Sequence, residues 1–193
     1  MYIAIEGIDT AGKSTQIAAL SEHYADAVIT KEPGATKVGV KIRDIVLSGE
    51  VQSAKAEFLL FLADRAEHMQ EVIAPNLDKL VISDRSVVSG VAYALVQENI
   101  SETAILHLNR FATDGNYPEL LFLLQLTPEE LKYRLSQKEL DGIELRGTEY
   151  LLNIQDALIK AAELLKIELV IIDAAQPIET ITQTIINKIK ESQ

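Results

Sequence analysis

Short apolar runs alternate along this chain with longer stretches in which apolar residues recur every three or four positions. The runs span Tyr2 to Ile5, Ala27 to Thr30, Leu80 to Ser83, Leu120 to Gln125 and Leu169 to Ile172. They are β-branched or Leu-rich and barely alternate with polar residues, the pattern of strands covered on both faces. Between and after them, helical periodicity predicts helices near 13–25, 37–47, 54–73, 86–97, 101–113, 128–138, 148–165 and 177–191. Pro128 and Pro177 sit where a first-turn proline is welcome, and Pro75 marks the end or a kink of the third helix. The alternation predicts an α/β fold: a five-stranded parallel sheet with helices on both faces. Without a repeat, a low-complexity segment or a Pro/Gly/Ser-rich linker, one domain over 1–193 is expected.

Composition narrows the chemistry. With 193 residues, 48% of them hydrophobic, the chain can bury one good core. It has no run near about 18 uncharged apolar residues, and its first residues lack a signal peptide's basic region and cleavage site, so a cytoplasmic protein away from membranes is expected. Cysteine is absent, which removes disulfides, thiolate metal sites and cysteine nucleophiles together. A formal net charge of -11 disfavours nucleic acid as a partner, although a few converging arginines could still hold a small anion.

The segment Gly7-Ile8-Asp9-Thr10-Ala11-Gly12-Lys13-Ser14-Thr15 follows the first strand and opens the first helix. Its glycines let backbone N–H groups point inward, and the helix N-terminus adds positive charge, so a polyphosphate is the natural occupant. In such a P-loop Lys13 reaches the β- and γ-phosphates of a nucleoside triphosphate and Ser14 ligates Mg²⁺. A plain strand-to-helix turn is the bland alternative. In an open parallel sheet ligands gather at the carboxyl ends of strands, which here carry Lys31-Glu32-Pro33-Gly34-Ala35-Thr36, Asp84-Arg85-Ser86 and Asp173-Ala174-Ala175-Gln176-Pro177.

Two further pairs stand out. Phe61 and Arg65, at i and i+4, share a helix face as an aromatic plate beside a planar donor. Alternatively Phe61 is core and Arg65 pairs with Asp64 or Glu67. Asp84 suits a metal through water and Arg85 a phosphate, unless the two simply pair with each other. His23, His68 and His107 show no ligand spacing and are assigned no chemistry.

These elements, in this order, resemble the thymidylate kinase family of P-loop nucleoside monophosphate kinases over nearly the whole chain. The resemblance rests on residues 6–15, 31–36, 59–65 and 84–93, with Asp141-Gly142-Ile143-Glu144 where the family has its lid, about 134–148 here. It implies a P-loop kinase fold with a short lid and transfer of the ATP γ-phosphoryl to dTMP, giving dTDP for dTTP synthesis. By that likeness Phe61 stacks on thymine and Arg65 contacts its O4, while Arg43 and Arg85 hold the acceptor phosphate. Asp84 orders Mg²⁺ or its waters, and Asp9 approaches the 3′-hydroxyl, or else merely favours a helix N-terminus. Ser89 and Tyr93 contact base and sugar, with the tyrosine crowding a 2′-hydroxyl, and Glu32-Pro33 shapes the monophosphate pocket. Residues 173–177 lie against adenine, and a homodimer packs through helices near 40–75 and 86–113. Ala35 departs from a glycine common in relatives. Thr10 and Gly142 stand where relatives supply a catalytic arginine, leaving Arg134 as first choice for that charge, with Lys138 and Arg146 as alternatives. The rivals are a kinase for UMP, CMP or an unphosphorylated nucleoside, and a regulatory nucleotide switch. The chain offers no Asn-Lys-x-Asp guanine motif.

Overall fold

The computed structural model describes residues 1–97, 100–137 and 144–192, with Glu144 as backbone only. Strands β1 (Tyr2–Glu6), β2 (Val28–Lys31), β3 (Val81–Asp84), β4 (Leu120–Gln125) and β5 (Glu168–Asp173) form one sheet in the order β2-β3-β1-β4-β5, parallel throughout. Every residue of β1 is buried, whereas the edge strands β2 and β5 are only partly so. This is why the central runs read as continuous apolar segments.

Helices α1 (Lys13–His23), α2 (Lys37–Leu47), α3 (Ala54–His68), α4 (Val87–Gln97), α5 (Glu102–Thr113), α6 (Pro128–Ser136), α7 (Thr148–Leu165) and α8 (Ile178–Glu191) connect and cover the strands. Several starts are fixed by side-chain caps. Thr36 accepts from the Gly39 N–H at 2.9 Å, Ser53 from Ala56, Ser101 from Ala104 and Thr127 from Glu130, each satisfying an N–H that has no partner within its helix. The core runs from Ile3, Ile5, Ile82 and Phe122 of the sheet to Val88 and Val91 of α4, Leu151 and Leu158 of α7 and Ile185 of α8.

The third helix departs from expectation. Its α-helical part ends at His68, a π turn takes Met69–Ile73, and Pro75 lies in a 3-10 turn over Ala74–Asn76. Proline removes one N–H and its ring collides with the carbonyl four residues earlier, that of Glu71, so the ladder widens before the chain leaves it.

From β1 the chain runs to the β2 edge, returns through β3 and then crosses to β4, so the turn after β1 opens where the strand order reverses. At that crevice Ile5 and Lys31 both pair with Asp84, which brings the ends of three strands together.

Candidate active site

On one side of the crevice, Gly7, Thr10 and Gly12 all have positive φ (151°, 70° and 97°), and α1 begins directly after Gly12. Lys13 is 8% exposed and donates to the carbonyls of Gly7 and Ile8 at 2.9 and 3.0 Å, so its ammonium spans the loop. Burial, and then the nearby Arg85 charge, lower its pKa to about 8. Lys13, Ser14, Thr15, Asp84 and Arg85 are among the residues around a cavity of about 520 Å³. Asp84 Oδ1 is buried there without a hydrogen-bond partner among the described residues.

Beside the loop, Arg85 takes φ 68°, its carbonyl accepting from Ser83 Oγ at 2.7 Å. Its guanidinium donates to Asp9 Oδ1 at 2.6 Å and to Ser89 Oγ at 3.3 Å. Arg85 thus pairs with Asp9, and no Asp84 to Arg85 ion pair forms among the described residues. Behind them Glu6 is fully buried and accepts from Ser86 Oγ, the Ser89 N–H and Ser89 Oγ at 3.0, 3.1 and 2.6 Å. Burial pushes its carboxyl up against the opposing pull of Arg85 and the two hydroxyls.

A second cavity of about 290 Å³ opens between α3, α4 and the loop after β2. Half-buried Phe61 and Tyr93 line it, together with Arg43, Arg65, Arg85, Ser89 and Gly90. Burial pushes the Tyr93 phenol up to about 12, and its hydroxyl has no partner among the described residues. Arg65 is buried and pairs with neither Asp64 nor Glu67: its Nε donates to Glu32 Oε2 at 2.9 Å and its Nη1 to Asn109 Oδ1 at 2.8 Å. Glu32 Oε1 lies 3.0 Å from Nδ1 of fully buried His68, whose Nε2 is 2.7 Å from Thr30 Oγ1. Burial by itself would raise the Glu32 carboxyl, but Arg65 and His68 outweigh it and hold it below its usual range. The Glu32–Pro33 peptide is cis, and Arg43 donates to the Pro33 carbonyl at 3.1 Å.

The structure therefore gathers Asp9, Glu32, Pro33, Arg43, Phe61, Arg65, Arg85, Ser89 and Tyr93 around one cavity. Arg134 goes elsewhere. Its guanidinium is taken up by Glu130, by the Thr10 carbonyl at 3.0 Å and by the Ala174 carbonyl at 2.7 Å, so it ties the back of the P-loop to the turn after β5. Arg146 instead lines this second cavity, donating to Tyr150 Oη at 3.0 Å. Lys138 and Asp141 lie outside the described residues. Sequence reasoning passed over Glu6, His68, Gly90 and Asn109. Glu6 carried a signal, since a charged residue closed an otherwise apolar strand. His68 lies one turn beyond Arg65. Nothing near Asn109 in sequence points to the site.

A glycine cradle for polyphosphate that opens onto a second, arginine-lined pocket at a parallel-sheet switch point defines a P-loop nucleotide kinase. The comparisons narrow the class. The family model for thymidylate kinase matches residues 5–185. A thymidylate kinase of Sulfurimonas denitrificans is 75% identical over 189 residues, covering 98% of this chain and 99% of the relative, and one of Aliarcobacter butzleri is 53% identical over 96% of each chain. The crystal structure of thymidylate kinase from Ehrlichia chaffeensis superposes with a TM-score of 0.73 at 28% identity, covering 98% of both chains. The chain belongs to the thymidylate kinase family of nucleoside monophosphate kinases.

Proposed function

We propose that this enzyme, whose family activity is the ATP-dependent phosphorylation of dTMP to dTDP, binds ATP in the cavity around Lys13 and dTMP in the cavity around Phe61 and Arg65. One observation carries the assignment: Asp9, Glu32, Arg43 and Arg85 belong to the walls of both cavities. Two phosphates bound end to end would meet at those residues. The arginines there favour an acceptor that already carries a phosphate over an unphosphorylated nucleoside.

The attacking oxygen of a monophosphate is already anionic, so no strong base is needed, and catalysis rests on in-line positioning and charge neutralisation. Lys13, moving from the loop carbonyls to the β- and γ-phosphates, and Arg85, on the acceptor phosphate, supply that charge from the protein. Phe61 offers a plate for thymine, Arg65 a donor for O4, and Tyr93 a wall against a 2′-hydroxyl. Asp84, whose Oδ1 is unpartnered among the described residues, and Ser14 share the Lys13 cavity and would hold Mg²⁺ there. When bound, that ion neutralises phosphate charge. Arg134, committed to Thr10 and Ala174, is better placed to shape the donor-base end than to meet the migrating phosphoryl group. Arg146 takes that role in this reading.

A coupled ADP-release assay over a panel of nucleoside monophosphates tests the scheme. ADP is expected only with acceptor present, and fastest with dTMP. Lys13→Ala and Arg85→Ala should each lower turnover by about 10²-fold or more while far-ultraviolet circular dichroism is unchanged. Near-normal turnover in either variant removes that residue from the mechanism.

A further inference from the structure

Of the buried groups that the reaction scheme leaves unused, Asn109 is placed to decide the acceptor base. It lies on α5, is fully buried, and does not line the acceptor cavity. Its Nδ2 donates to the Ile105 carbonyl at 2.8 Å, which fixes the amide so that Oδ1 faces Arg65 and accepts from Nη1 at 2.8 Å. Glu32 holds Nε of the same guanidinium at 2.9 Å. The third side is set by Gly90, where a Cβ would stand 2.5 Å from Nη2 and 2.7 Å from Nη1. An acceptor at each end and a backbone wall leave the planar group one orientation. Nη2 makes no hydrogen bond among the described residues, and Arg65 borders the cavity.

We propose that Asn109 is a specificity-positioning residue: by locking the rotation of Arg65 against Glu32 and Gly90, it keeps one N–H edge of the guanidinium directed at a carbonyl on the acceptor base. This rests on the reading that Arg65 meets the base. A fixed N–H donates to the 4-oxo group of thymine and opposes the 4-amino group of cytosine, whose own N–H would face it. A guanidinium free to swing would discriminate far less, because it could turn its donors aside. Asn109 itself touches no substrate.

The test compares three variants with dTMP and dCMP as acceptors. Asn109→Leu keeps the volume and removes the acceptor, whereas Asn109→Asp keeps the acceptor. Asn109→Leu should raise KM for dTMP by about 10-fold, the scale of a lost charge-assisted hydrogen bond, and narrow the dTMP to dCMP ratio of kcat/KM by a similar factor. Saturated turnover and KM for ATP should hardly change, and Asn109→Asp should restore most of the dTMP affinity. The proposal is overturned if Asn109→Leu leaves KM for dTMP and the ratio unchanged. It is equally overturned if both Asn109 variants lower Tm and turnover and raise both KM values together, as a purely structural role would. Arg65→Lys separates the two levels. If it leaves the discrimination intact, the role of Arg65 falls and the inference with it; if it abolishes discrimination while Asn109→Leu does not, only the inference fails.

Discussion

Lys13 illustrates what a single residue contributes and what it costs. Held against two carbonyls and buried in the loop, its ammonium is charged below pH about 8 and neutral above, far under the usual lysine value. Triphosphate needs the charged form. The free protein must therefore take up a proton to bind nucleotide above that pH, while below it binding requires none. Nucleotide affinity is expected to stay level from pH 6.5 to about 8 and then to weaken by up to about 10-fold per unit. Calorimetry in buffers of different ionisation enthalpy would register the proton uptake, and a level affinity up to pH 9.5 would refute this account. The P-loop residues were legible one by one because their task is local: glycine for the turn, lysine for charge, a hydroxyl beside it. Arg85 could be picked out as a candidate phosphate ligand, but its pairing with Asp9 could not, since the two stand far apart in sequence.

At the scale of elements, helices are set against one another through small residues and buried carboxylates. Gly39 of α2 lies so close to α3 that a Cβ there would collide with Asp64 Oδ1 and stand 3.0 Å from Thr36 Oγ1. The same Asp64 oxygen accepts from the Gly34 N–H at 2.9 Å and so anchors the turn after Glu32-Pro33. Gly39→Ala should push α2 from α3, lower stability by about 1–3 kcal/mol and raise KM for dTMP more than KM for ATP. Thermal melts and two-substrate kinetics would check this, and an unchanged Tm would show that the helices part easily. Glu6 plays the corresponding part between β1 and α4, accepting the donors of Ser86 and Ser89 at the start of that helix. Most element positions were readable from periodicity and caps. The π turn after His68 was not, because an apolar pattern continuous through Ile73 does not record which hydrogen-bond ladder carries it.

Over the whole molecule, charge is arranged against its average. A chain with net charge -11 brings Arg43, Arg65, Arg85 and Arg146 to one cavity, where short-range contacts outweigh screened repulsion from the distant surface. Among the described residues no helix is long and apolar enough to cross a membrane. We propose a homodimer formed through the packed pair α3 and α5, on which Leu59 is 55% and Phe111 83% exposed. Phe111→Lys should shift the protein towards monomer in sedimentation velocity while the monomer keeps its fold. An unshifted distribution would place any dimer contact elsewhere.

The sequence by itself determined the strands, most of the helices, the glycine loop between β1 and α1 and the shared helix face of Phe61 and Arg65, because each follows from periodicity or from chemistry within a few neighbouring residues. Tertiary structure alone decided what Arg65 and Arg134 bind. Asn109 reaches Arg65 from 44 residues away and Thr10 reaches Arg134 from 124. Distances of that kind are closed by the order of strands and the packing of helices, and a side chain with several donors takes whichever acceptors the assembled fold brings within reach.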